Sequence, residues 1–110
     1  MAEDEGCEVI ITAPDAGWLA DFTRRLVEDR LAASGHNISQ IRSIYRWEGE
    51  VYDRSEARVA LHTRRSLVRK IVERTRAEHP YEVPSVAVVP IVDGNPAYLR
   101  WMQEETISNE

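Results

Sequence analysis

The sequence predicts an α+β domain of the split βαβ kind: strand, helix, strand, strand, helix, strand, then one extra helix. Three observations predict it. Short apolar runs of strand length alternate with amphipathic stretches at helical spacing along a chain of 110 residues. Residues 38–63 read as two long strands that fold back near Glu48-Gly49-Glu50. After the last strand signal, Asn95-Pro96 opens a helix, with Asn at the cap and Pro at the first helical position.

Residues 1–7 are acidic and read as a loose tail, leaving residues 8–110 as one domain. Glu8-Val9-Ile10-Ile11-Thr12 is a buried central strand, ended by Ala13-Pro14-Asp15. Asp15 caps a helix whose buried side carries Leu19, Phe22 and Leu26, flanked by Val27 and Leu31. The spacing carries this helix to Ser34-Gly35, where Gly35 supplies a left-handed cap.

The β-branched and aromatic run from Ile41 to Asp53 forms the turn end of the hairpin. In its second arm Ala57, Val59 and Leu61 alternate with Glu56, Arg58 and His62, the period of a half-buried strand. One small domain cannot cover two strands of this length, so the overhang calls for a partner, most simply another copy of the chain.

A second helix opens at Arg64-Arg65-Ser66, buries Leu67, Val68, Ile71 and Val72, and ends at His79 before Pro80. Tyr81-Glu82-Val83-Pro84 is an extended link into the fourth strand, Ser85 to Val92. Pro90 has no N–H for a ladder, which places that strand at a sheet edge. Tyr98, Trp101, Met102 and Glu105 lie along one side of the last helix. The order matches the ferredoxin-like pattern, with the first and third strands central and the second and fourth at the edges.

Bulk composition narrows the function. Net charge is -5 and no Lys/Arg run stands out, which excludes a phosphate-tracking surface and hence a nucleic-acid partner. The single cysteine, Cys7, permits no internal disulfide and fits a reducing compartment. No signal-peptide pattern opens the chain, and no apolar run approaches the roughly 20 residues of a membrane helix. The expectation is a soluble cytoplasmic protein without a membrane partner.

His79, at the end of a helix, is the leading metal candidate, because imidazole suits copper, zinc and nickel. The negative helix C-terminus offers it a structural role as well. His36 and His62 are weaker candidates on different strands, and no His-x-His spacing joins them. Tyr45 and Trp47 share one strand face and read as core or interface packing, or as a cleft wall with Tyr81 and Glu82 nearby. Arg46, Arg58 and Arg64 offer guanidinium groups to a small anionic ligand. Glu48, Glu50 and Asp53 are solvated carboxylates near the tip. There is no nucleophile elbow, no phosphate loop and no paired metal motif, so an enzyme is the least expected class.

Ser43-Ile44-Tyr45-Arg46-Trp47-Glu48-Gly49, His79-Pro80-Tyr81-Glu82-Val83-Pro84 and Gly94-Asn95-Pro96-Ala97-Tyr98-Leu99-Arg100-Trp101 together resemble the CutA family of divalent-cation tolerance proteins. Thr12-Ala13-Pro14, Leu31-Ala32-Ala33 and Thr63-Arg64 add to the resemblance, which runs from about residue 9 to 106. It implies a ferredoxin-like fold, a homotrimer similar to that of the PII signalling proteins, and a role in tolerance to copper (Cu2+) or another divalent cation. The trimer's clefts would then hold a metal or small ligand, with Tyr45, Trp47, Arg64, Tyr81 and Glu82 as cleft residues. A PII-like signalling trimer or a non-catalytic scaffold is the alternative. Ser34 stands where that family often has cysteine, and His62 where it often has lysine. A serine hydroxyl is a poor copper ligand beside a thiolate, which counts against a thiolate copper site.

Overall fold

The computed structural model describes residues 4–107. Its elements are β1 (Gly6–Ala13), α1 (Ala16–Glu28), β2 (Ser34–Trp47), β3 (Glu50–Arg64), α2 (Val68–Glu78), β4 (Val86–Pro90) and α3 (Pro96–Glu105). The four strands form one antiparallel sheet in the order β2-β3-β1-β4. The expected arrangement holds: β1 and β3 are central, and Pro90 sits on the edge strand β4.

Side-chain alternation explains the layers. Cys7, Val9, Ile11 and Ala13 of β1 and Ala57, Val59, Leu61 and Thr63 of β3 are buried. Cross-strand pairs such as Val9 with Leu61 and Ile11 with Val59 put both sets on one face. Leu19, Phe22 and Leu26 of α1 and Ile71 of α2 belong to the same core. On the opposite face α3 packs against β1 and β3, with Met102 against Gly6.

Two boundaries and some packing roles differ from the sequence reading. The tail does not reach residue 7. Cys7 is in β1 and 1% exposed, and Asp4 is held by Arg64 Nη1 at 3.0 Å and by the Ser66 N–H at 2.9 Å. Residues 1–3 of the expected tail lie outside the described residues. Helix α1 stops at Glu28 rather than near Gly35. Arg30, with φ of 62°, takes the left-handed position instead: its N–H bonds Val27 O, and the Leu31 N–H bonds Leu26 O. The Arg30 side chain repays the strained position by donating to the carbonyls of Glu104 and Glu105 at the end of α3. Gly35 lies in β2, where a Cβ would collide with Thr23 Cγ2 and press on Leu61 at 3.2 Å. Its role is close packing, not capping. In α2 the fully buried residues are Ile71 and Thr75, just after buried Leu67, while Val68 and Val72 are half-buried.

The hairpin is longer than its sequence signal. Its strands hold 14 and 15 residues, joined by Glu48 and Gly49 with φ of 50° and 83°. Two positive φ values in a two-residue loop are the signature of a type I′ turn. At about 3.3 Å per residue such strands run about 46 Å, as long as the 43 Å long axis of the molecule. Only residues 57–64 of β3 pair with β1; residues 50–56 pair with β2 alone. The distal half is therefore a two-stranded ribbon projecting past the three-strand centre of the sheet.

Candidate functional site

The ribbon's overhang makes one wall of an open cleft of about 470 Å³. Register places its residues. The two-residue turn sets Tyr45 opposite Tyr52, Ser43 opposite Arg54, and Ile41 opposite Glu56. Directly opposed residues share a face, so Tyr45, Trp47, Tyr52, Arg54 and Glu56 all line the cleft. The other wall is the link after α2, carrying Tyr81, Glu82 and Val83. The Tyr45 and Tyr52 rings meet edge to face at 5.4 Å, and the Arg54 guanidinium lies 4.8 Å from the Tyr52 ring centre.

At the floor sits Glu56, 4% exposed, accepting a hydrogen bond of 2.6 Å from Tyr81 Oη. Burial first, and then that carboxylate, raise the Tyr81 hydroxyl well above its ordinary range, so it stays a donor. His79 fixes the link that carries Tyr81. Its Nδ1 accepts from the Tyr81 N–H at 2.9 Å, and its Nε2 donates to Thr12 O at 2.8 Å. The ring is 8% exposed and stands edge-on to Trp18.

This changes the expected role of His79. Both ring nitrogens are engaged with backbone, so within the protomer no lone pair is left for a cation. His62 is engaged likewise: Nδ1 with Tyr98 Oη at 2.6 Å and Nε2 with Glu8 Oε2 at 2.9 Å. Ser34 Oγ lies 3.4 Å from the same Tyr98 oxygen. His36, on the other strand, is brought beside His62, with ring centres 4.9 Å apart, and is itself exposed. Among the described residues no group of three or more His, Cys, Asp or Glu side chains is placed to hold a metal ion. Burial pushes the Cys7 thiol up to about 11, which keeps it a protonated core group rather than a thiolate ligand.

Four of the five expected cleft residues are together: Tyr45, Trp47, Tyr81 and Glu82. Arg64 is not among them. It lies at the far end of β3, where it binds Asp4, the Gln103 carbonyl and Thr106 and ties α3 to the sheet. Tyr52, Arg54 and Glu56 were missed. Their i, i+2, i+4 spacing opposite Tyr45 was visible once the turn was counted as two residues. The near-complete burial of Glu56 was not, because it depends on the link returning over β3. Asp53, at the tip, is engaged by Arg42 through two hydrogen bonds of 2.9 and 2.6 Å.

The fold and cleft define a class: a split βαβ domain with a projecting ribbon that makes one wall of an aromatic-lined cleft. The family model for "CutA1 divalent ion tolerance protein" matches residues 7–105. The chain is 40% identical to the divalent-cation tolerance protein CutA of Thermus thermophilus over 98 residues, 89% of this chain and 95% of that one. It is 41% identical to mouse protein CutA over 101 residues, 90% of this chain but 57% of the mouse protein. Among solved structures, the Thermus thermophilus protein superposes with a TM-score of 0.88 at 39% identity, covering 92% of this chain and 98% of that one. CutA1 from Oryza sativa gives a TM-score of 0.90 at 30% identity, covering 97% and 99%. The chain belongs to the CutA divalent-cation tolerance family.

Proposed function

We propose that the protein is a homotrimeric, non-catalytic component of divalent-cation tolerance whose ligand sites lie between subunits. The observation that carries the assembly is the overhang. Ile44 and Val51 in its distal half are 63% and 61% exposed, and a lone two-stranded ribbon is marginally stable in water. The sheet has two open edges, β2 and β4, and Val88 and Val89 near the second are 41% and 44% exposed. Two different open edges on one chain suit head-to-tail pairing, which closes into a ring. The family resemblance supports three as the number of copies.

A copper or other divalent ion would need donors from more than one copy, since the described residues of one protomer assemble no group of three or more donors. His36, exposed and free of the hydrogen bonds that occupy His62 and His79, is the donor this reading keeps. A single buried cysteine, with no second cysteine to pair with, fits the reducing cytoplasmic setting expected from the sequence. Sedimentation equilibrium with copper titration tests both parts. The reading expects a species three times the 12.6 kDa chain. It expects copper affinity to fall in His36→Ala and to persist in His79→Ala. A folded lone protomer, or unchanged binding by His36→Ala, contradicts it. The aromatic cleft favours a second reading, a PII-like trimer that senses a small molecule, which a thermal-shift screen of metabolites would reveal.

A further inference from the structure

The cleft holds one guanidinium, Arg54, and two carboxylates, exposed Glu82 and buried Glu56, and among the described residues no ion pair joins Arg54 to either. Glu56 is 4% exposed, and its one side-chain hydrogen-bond partner among the described residues is the neutral Tyr81 hydroxyl. Arg54 stacks on Tyr52 and makes no ion pair among the described residues. They stand two residues apart on one strand face, so their Cβ atoms are about 7 Å apart. That spacing sets both side chains on the same cleft, where one small molecule can meet both. A buried carboxylate without a cation is costly unless something supplies one. Around the pair stand the aromatic rings of Tyr45, Trp47 and Tyr52. Apolar walls with a few fixed charges, in a volume of about 470 Å³, have the composition of a small-molecule site.

We infer that this cleft binds a small zwitterion with a flat apolar side group, an aromatic α-amino acid in chemical class. Its ammonium would meet Glu56, its carboxylate Arg54, and its ring the aromatic wall. The inference rests on the reading above that ligands occupy clefts of the assembly, but names a different ligand from the cation.

Isothermal titration calorimetry on the full chain tests it, with L-phenylalanine, 2-phenylethylamine, which lacks the carboxylate, and 3-phenylpropionate, which lacks the ammonium. The expected result is L-phenylalanine binding at least about tenfold more tightly than either, the size of one lost charge-assisted hydrogen bond. Arg54→Gln should bring L-phenylalanine down to the affinity of 2-phenylethylamine. Glu56→Gln should bring it down to that of 3-phenylpropionate. Arg54 is exposed, so its variant keeps the test open if the Glu56 variant fails to fold. Equal binding of amine and amino acid overturns the inference. So does an absence of heat with L-phenylalanine in a sample that sediments as a trimer, which would leave the assembly reading intact. Absence of heat in a sample that sediments as a protomer would overturn both.

Discussion

The two halves of the β2–β3 ribbon have similar side chains and opposite surroundings. In the half paired with β1, Val59 and Leu61 are fully buried. Beyond residue 57 toward the turn, Ile44 is 63% and Val51 61% exposed. Strand chemistry is the same in both; what differs is the presence of a third strand and a helix layer. Burying an aliphatic side chain stabilises by about 1.5–3 kcal/mol, and the distal half forgoes this within one protomer. A ribbon so composed leaves apolar surface uncovered within one protomer, whereas the proximal half is a finished core.

Substitutions separate the two halves. The largest effect is expected from Leu61→Ala, which should lower unfolding free energy by about 2–5 kcal/mol whatever the assembly state, measured by chemical denaturation. Gly35→Ala should follow at about 1–3 kcal/mol, because the new methyl overlaps Thr23 in a packed layer. The contrasting Gly49→Ala meets no atom within 4 Å and should carry only the strain of its positive φ, about 1 kcal/mol. His79→Ala should lose about 1–3 kcal/mol by releasing Thr12 O and the Tyr81 N–H. Ile44→Ala sharpens the comparison most: it should leave the protomer within about 0.5 kcal/mol and weaken assembly, seen on dilution.

A further small effect is electrostatic. Hydrogen bonding from Arg25 first, then from Arg74, outweighs burial and holds the Glu78 carboxyl below its ordinary 4.5. A lowered carboxyl adds stability above that value and loses it as pH falls through the folded value. Glu78→Gln should therefore flatten the acid limb of the stability curve and cost less than about 1 kcal/mol at neutral pH, since both partners are partly solvated.

Much of the fold was legible because its signals are local. Asp15 accepts from the Trp18 N–H and Asn95 from the Ala97 N–H, as cap positions predict. Pro90 announced an edge. The end of α1 was not legible: Arg30 occupies a position that favours glycine, and its reason lies 75 residues away at the Glu105 carbonyl. The site divides in the same way. Tyr45 and Trp47 were readable from alternation, and Tyr52 and Arg54 from register. The anchoring of His79 by Thr12 and of Arg64 by α3 is tertiary, and no spacing in the sequence encodes it.

Amide hydrogen exchange across the ribbon as a function of protein concentration tests the central claim most directly. The account predicts that the amides of residues 42–46 and 51–55 are protected nearly as well as those of β1 at high concentration, and lose protection on dilution before β1 does. Fast exchange of the distal ribbon at every concentration, beside a protected and folded β1, would contradict it.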